Sequence, residues 1–390
     1  MRTLLSSLRL GLLMTVLVAP LCALAQEQWR FDDVERIVAF SDVHGDYAAM
    51  VATLQSAGVV DEDLRWSGDR THLVIVGDIL DRGPDSRAAM DLLMRLETQS
   101  QQVGGEVHVL IGNHEVMNIV GDMRYVHAGE FASFAADESA EERDRWYVAW
   151  QTKRSNSSAG PAASRAQFDK AFPAGYFAHR RAFAPDGKYG KWLLEKPMIV
   201  VIDGNAFVHG GLSPSVAEGG LQGVNIDLVG DIGLYAQQMQ LLIDKGLLLP
   251  TDENRNHLDI INAATRDVRQ KPTVAAAIAD VRRLDEELFS YQSPHWYRGH
   301  TYCSEMVEGD RIDAALEKIQ ASRVIVGHTP TPTREIVQRL DGRVIEIDTG
   351  MNHAYYKGSG HALIIEDGVI SVMNENGKAA DLPVPSERRV

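Results

Sequence analysis

The sequence predicts a layered α/β domain, with strand–helix–strand units at the front, two long helical excursions in the middle and hairpin-linked strands at the end. Three observations predict it. Five short apolar, mostly β-branched runs are each followed at once by a polar turn containing glycine. Helical patterns separate the first three of these runs. Two Asp-Gly pairs then divide strand-like segments in the C-terminal third. The 390 residues carry 39 Lys+Arg against 54 Asp+Glu, a formal charge of -15, and are 45% hydrophobic. That composition excludes a disordered tail protein, a collagen-like chain and a multispan membrane protein. The acidic balance argues against binding a nucleic-acid duplex, because counterion release needs a basic face. The length suits one large domain with insertions, or two domains.

Residues 1–25 read as a targeting segment. Arg2 and Arg9 give a positive start, Leu10 to Ala19 is apolar, Pro20 breaks the run, and Ala23-Leu24-Ala25 supplies small residues for cleavage. The apolar stretch is short for a membrane span, so the chain is expected to be exported, periplasmic or secreted, with no span left after cleavage. Removing Arg2 and Arg9 takes the formal charge to -17. Cys303 is then the one cysteine left, which forbids an intramolecular disulfide. Cys303 reads either as a nucleophile or as a small core residue.

The apolar runs are Ile37–Phe40, Leu73–Val76, Val107–Ile111, Ala206–Val208 and Val324–Val326, each suited to a strand buried on both faces. Tyr47 to Ala57 and Arg87 to Leu96 are the helical patterns between the first three, as right-handed crossovers require. Helical insertions are expected at about 122–195, with a flexible patch at Ser155–Gly160, and at about 226–288. Asp341-Gly342 joins Arg334–Leu340 to Arg343–Ile347, and Asp367-Gly368 joins Ala362–Glu366 to Val369–Val372. The domain is expected over 26–380, with a tail at 381–390.

Each of the five runs delivers a metal-ligand side chain just past its carboxyl end. These are Asp42 and His44, then Asp78 and Asp81, then Asn113, His114 and Glu115, then His209, then His328. Loops at strand carboxyl ends converge on one crevice in an open α/β sheet, so side chains distant in sequence can meet there. Carboxylates, a carboxamide and imidazoles together suit two transition-metal ions, with Mn, Fe and Zn all compatible. Neighbouring glycines let backbone approach closely.

These blocks resemble the calcineurin-like metallophosphoesterase superfamily, and His209-Gly210-Gly211-Leu212-Ser213-Pro214 is similar to its phosphoprotein phosphatase branch. Phe40–Tyr47, Gly112–Tyr125 and Ser293–His300 further resemble the Shewanella-like protein phosphatases. Gly327-His328-Thr329 departs from the surround of the last histidine in eukaryotic serine/threonine phosphatases. The resemblance implies a β-sandwich of two mixed sheets flanked by helices, α/β/β/α. It also implies a phosphomonoester hydrolase acting on phosphotyrosine or phosphoserine/threonine proteins, in which a water activated between the two ions attacks phosphorus in line. By matching motif, Asp42 and His44 bind the first ion and Asp78 bridges both. Asn113, His209 and His328 complete the second, Asn113 also lying beside the substrate. Asp81 orients His114, the general acid, and Arg82 holds the phosphate.

Other readings stand beside these. Arg82 either holds phosphate or pairs with Asp81 or Asp85. Arg298 is either a second phosphate contact or the edge of a packed helix. Trp146, Trp150, Trp192 and Tyr176 either wall the cleft or fill a core. Asp348–Asn352 closes a strand and either reaches the site edge or is structural, the latter being the expectation. The expected partner is a phosphoprotein, phosphopeptide or small phosphomonoester. A dinucleoside polyphosphate or other nucleotide hydrolase is a second enzyme reading, and a catalytically inactive metal-stabilised binding protein a third.

Overall fold

The computed structural model describes residues 28–156, 164–264 and 271–382. The targeting segment, the patch from Ser157 onward and most of the C-terminal tail lie outside the described residues. The strands are β1 (Arg30–Phe31), β2 (Arg36–Phe40), β3 (His72–Ile75), β4 (Glu106–Val109), β5 (Ile199–Ile202), β6 (Asn205–Val208), β7 (Arg323–Val326), β8 (Val337–Arg339), β9 (Val344–Glu346), β10 (His361–Glu366), β11 (Val369–Asn374) and β12 (Ala379–Asp381). They form two six-stranded mixed sheets, ordered β1-β5-β6-β7-β9-β8 and β12-β11-β10-β2-β3-β4.

The sheets are packed face to face through alternate residues. Ile37, Ala39, Val74, Val76 and Leu110 meet Val200, Ile202, Phe207, Ile325 and Ile345 between them. The other residues of the same strands, such as Val38, Phe40, Leu73 and Ile75, face a larger core that includes Met50, Leu54, Leu92, Leu93 and Leu96. Burial on both faces is why these runs read as continuously apolar. The first two helices span Tyr47–Ser56 and Ser86–Gln101. Both expected hairpins form, β8 with β9 and β10 with β11.

The two mixed sheets are those of the expected sandwich, and the five ligand-bearing strands are shared between them. β2, β3 and β4 are parallel neighbours in one sheet, and β6 and β7 are parallel neighbours in the other. The carboxyl ends of both sheets nevertheless open on the same side. The sequence reading missed β1, β5 and β12. β5 and β6 are joined at Asp203-Gly204, whose φ values of 46 and 71 mark the same two-residue turn chemistry as Asp367-Gly368 between β10 and β11.

Helices fill both long connections. Between β4 and β5 run Asn113–Val120, Ala128–Ser133, Ala140–Asn156, Arg165–Ala171, Tyr176–Phe183 and Lys188–Leu194, and after β6 the helical stretch begins at Pro214. The tryptophans resolve in favour of core. Trp146 and Trp150 pack on an aromatic cluster of Phe168, Phe172, Tyr176 and Phe177, while Trp192 sits in the main core and donates to Glu97 at 2.9 Å. Cys303 is a half-buried free thiol. No helix among the described residues is long and apolar enough to cross a membrane.

Candidate metal centre

The ligand-bearing loops hold an unusual backbone. Asp42, His44, Asp78, Asp81, Arg82 and His328 all lie at φ between 48 and 71. Left-handed conformations cost non-glycine residues roughly 1–3 kcal/mol each and persist where surrounding structure imposes them. Here the imposing bonds are visible. The Asp42, His44 and Gly45 amides donate to the carbonyls of Gly77, Asp78 and Ile79 at 3.1, 3.0 and 2.9 Å, fastening the β2 loop to the β3 loop. Gly45 and Gly83 touch backbone to backbone, so a Cβ on Gly45 would lie 2.6 Å from the Gly83 oxygen.

Glu115 is not placed as a ligand. Its buried carboxylate accepts from the amides of Gly112, Asp78 and Ile79 at 2.9, 2.8 and 2.9 Å, tying the β3 loop to the helix Asn113–Val120. The Asp348–Asn352 segment reaches the edge of the site in a structural role. Asn352 donates to the His44 carbonyl at 2.8 Å, and burial together with the Asp42 charge raises Asp348 well above the usual carboxylate range.

Six side chains named from the sequence meet around two points. At one, His209 Nε2 stands 3.2 Å from Asp78 Oδ2, 3.1 Å from Asn113 Oδ1 and 3.1 Å from His328 Nδ1. At the other, His44 Nε2 lies 3.7 Å from both Asp78 Oδ2 and Asp42 Oδ1. Asp78 Oδ2 is common to both. His44 Nδ1 and His209 Nδ1 each donate to a carbonyl, of Leu80 and Val76, at 2.8 Å, which aims both Nε2 atoms inward. Asp42 Oδ1 is buried with no hydrogen-bond partner, while Oδ2 accepts from the His328 amide at 2.9 Å.

This donor set fits cations. Burial pushes Asp42 up to about 6, with Asp78 adding and His209 opposing. Burial pushes His44 and His328 well below the usual histidine range, leaving neutral imidazoles. Burial disfavours charge on His209 as well, yet the Asp78 carboxylate lifts it to about 10. Buried carboxylates, an orphaned oxygen and the neutral His44 and His328 rings favour positive charge between them, a place the proton on His209 takes when no cation does. Oxygen and imidazole donors at these spacings suit transition-metal ions.

Beside the ligands stands a proton-handling pair. Burial lowers His114, but Asp78 and Asp81 more than offset it, so its pKa is raised. His114 Nδ1 meets Asp81 Oδ2 at 2.5 Å, and Asn118 donates to Asp81 Oδ1 at 2.9 Å. His114 Nε2 thus faces the centre, 3.9 Å from Asp78 Oδ2. No ion pair of Arg82 with Asp81 or Asp85 forms among the described residues. Its guanidinium instead contacts His44 Nε2 and lies 5.6, 5.4 and 5.0 Å from the ring centres of Tyr125, Tyr355 and Tyr356. Sequence reasoning missed these tyrosines as a group, although Tyr125 closes one of the motif blocks.

Arg298 is half-buried, and its charge helps to lower His328 after burial and His209 have done so. Its Nη1 donates to the Trp296 carbonyl at 3.4 Å. A charge-assisted bond to phosphate contributes about 1.5–3 kcal/mol, so Arg298→Ala is expected to raise KM for several phosphomonoesters about tenfold or more. Unchanged steady-state kinetics would assign Arg298 to packing.

The calcineurin-like phosphoesterase family profile matches residues 35–332. Shewanella-like protein phosphatase 2 of Arabidopsis thaliana is 34% identical over 215 residues, 52% of this chain and 53% of the plant protein, so the match spans about half of that relative. Shewanella-like protein phosphatase 1 of Plasmodium berghei is 23% identical over 83% of this chain and 70% of its own length. The crystal structure of a cold-active protein-tyrosine phosphatase from a psychrophilic Shewanella species shares the fold, with a TM-score of 0.55 at 24% identity, covering 91% of this chain and 82% of that one. With two mixed sheets flanked by helices and ligand groups gathered at their carboxyl ends, the chain belongs to the calcineurin-like phosphoesterase family and is a hydrolase of phosphoesters.

Proposed function

We propose that the chain is a binuclear-metal phosphomonoesterase acting on phosphoproteins, with aryl esters of the phosphotyrosine type preferred. The observation that carries this reading is the meeting of Asp42, His44, Asp78, Asn113, His209 and His328 beside the His114–Asp81 pair and Arg82. Asp42, His44 and Asp78 would hold one ion, and Asp78, Asn113, His209 and His328 the other. Mn, Fe and Zn all suit these donors. When bound, such ions supply Lewis acidity toward phosphoryl oxygens and an activated water nucleophile.

The chain's own residues do the rest. Arg82 offers a planar donor fork to the same phosphoryl oxygens and restrains the ester's orientation. His114 protonates the departing oxygen from Nε2, while Asp81 fixes the tautomer through Nδ1. The collar of Tyr125, Tyr355 and Tyr356 around Arg82 supports the aryl preference. Tyr125 is 41% exposed and Tyr355 56%, so both rings are open to solvent beside Arg82, within reach of an aryl group whose phosphate Arg82 holds. The names of the protein phosphatase relatives and of the tyrosine phosphatase neighbour accord with this reading.

The experiment is phosphate release by the metal-replete chain from matched phosphotyrosine, phosphoserine and phosphothreonine peptides. The highest kcat/KM is expected for phosphotyrosine. The Tyr125→Ala, Tyr355→Ala double variant is expected to cut that preference about five- to tenfold, since an aromatic pair contributes about 0.5–1.5 kcal/mol. Cleavage of dinucleoside tetraphosphates without peptide dephosphorylation would install the nucleotide hydrolase reading instead. Inactivity on every ester would install the binding-protein reading. Residues 1–25 are proposed as an export signal, so protein recovered outside the cytoplasm is expected to begin at Gln26, and an intact Met1 on that material would refute it.

A further inference from the structure

A second ligand-like cluster lies at the opposite pole of the sandwich, where neither the phosphoester chemistry nor the core makes use of it. His72 opens β3, while Glu106 and His108 lie on β4 at the sheet edge. Parallel pairing sets His72 opposite Glu106, with Val74 opposite His108. Strand alternation turns all three toward the inter-sheet side, the side that Val74 and Leu110 take. One donor atom from each of the three lies within 4.8 Å of the others. His108 Nε2 and His72 Nδ1 are 3.1 Å apart, and the Phe31 ring closes over them at 4.6 and 5.3 Å.

We propose that His72, Glu106 and His108 hold one zinc-class divalent cation at the amino-terminal pole of the sandwich, separate from the phosphoesterase centre. Five residues of β3 and its loop lie between His72 and Asp78, roughly 15–20 Å along the strand direction. Two imidazoles bound to one zinc at about 2.0–2.1 Å in tetrahedral geometry would place their nitrogens about 3.3 Å apart. The 3.1 Å observed approaches that spacing and equals the distance between His209 Nε2 and His328 Nδ1 in the phosphoesterase centre, with the same pairing of ring nitrogens.

Charge points the same way. Burial, with His72 adding, pushes His108 down to about 3, and burial lowers His72 against the pull of Asp203. Both rings therefore keep lone pairs free at neutral pH. Burial raises Glu106, and no Lys or Arg pairs with it among the described residues. A simple imidazole–imidazole hydrogen bond would explain the 3.1 Å but would leave the half-buried Glu106 carboxylate without a counter-charge, whereas the exposed Asp203 carboxylate already accepts from the Asp33 and Val34 amides at 2.8 and 3.1 Å. A bound cation would satisfy both rings and Glu106, and it would clasp β3 to the edge strand β4.

The test uses the full chain, stripped with chelator, loaded with slight excess zinc and desalted. The parent is expected to retain one zinc per chain more than the His72→Gln, Glu106→Gln double variant. Its zinc-dependent rise in Tm should exceed the variant's, while the chelated forms unfold at the same temperature. Arylphosphatase activity is expected to stay within twofold. Where the double variant fails to fold, Glu106→Gln alone carries the same readout. Equal zinc content in parent and variant overturns the proposal. Failure of the phosphoesterase reading would abolish activity in both proteins without altering the difference in zinc, so the two outcomes are separable.

Discussion

Asp78→Ala is expected to reduce bound transition metal from two ions per chain to one or fewer, and to lower phosphomonoesterase turnover on the order of a thousandfold. The reason is geometric. Among the described residues Asp78 Oδ2 is the oxygen shared by both ligand groups, 3.2 Å from His209 Nε2 and 3.7 Å from His44 Nε2. Deleting it removes the negative charge that both cations would share. It also removes the acceptor for the His114 amide, which Asp78 Oδ1 holds at 3.0 Å. Losing the charge stabilisation that metal ions give a transferring phosphoryl group forfeits about 4 kcal/mol or more, at 1.36 kcal/mol per tenfold. Elemental analysis of the purified variant decides it: two ions per chain would remove Asp78 from the bridging position.

His114→Ala is expected to lower kcat for alkyl phosphates by about 100- to 10,000-fold, the span general acids command, while aryl phosphates with good leaving groups lose about tenfold or less. A departing alkoxide needs a proton in the transition state, and an acidic phenol does not. The position of His114 serves this: Nδ1 is committed to Asp81 at 2.5 Å, and Asp81 is itself steadied by Asn118 at 2.9 Å. Only Nε2 remains to meet a leaving group. Asp81→Asn should produce the same substrate-dependent pattern at smaller magnitude, and the double variant should lose no more than His114→Ala alone, because the pair acts as a unit. Equal losses for alkyl and aryl esters in a series of graded leaving groups would take the proton-donor role away from His114.

Asp78 and His114 are both legible in the amino-acid sequence. The ligand types follow apolar runs at one end, and such runs with glycine-containing turns are a strong local signal. The supporting residues are harder to see. Glu115 carries a ligand's chemistry yet spends its carboxylate on three backbone amides, a use that depends on where Gly112, Asp78 and Ile79 fall in space. Asn352 lies far from His44 in the chain, and nothing local in an Asn marks it as a clamp on a distant carbonyl. The tyrosine collar gathers one ring from the first helical excursion and two from the C-terminal segment.

The pattern of strain is likewise hidden. Glycines at left-handed positions can be anticipated from turns, but six left-handed site residues that are not glycine cannot, since sterics disfavour that conformation for each of them singly. The cross-loop bonds from the β2 loop to the β3 loop impose it, and those bonds exist only once the strands are paired.

By itself, then, the sequence determined the strand-end placement of Asp42, His44, Asp78, Asn113, His209 and His328, because local apolar patterning and turn chemistry write strands and their exits directly into residue order. Only the tertiary structure decided which of these exits belongs to which of the two facing sheets. It alone committed Glu115 and Asn352 to the backbone, and it alone set His72, Glu106 and His108 within reach of one another. Register, sheet partnership and loop-to-loop hydrogen bonds are long-range agreements between segments, and no single segment contains them.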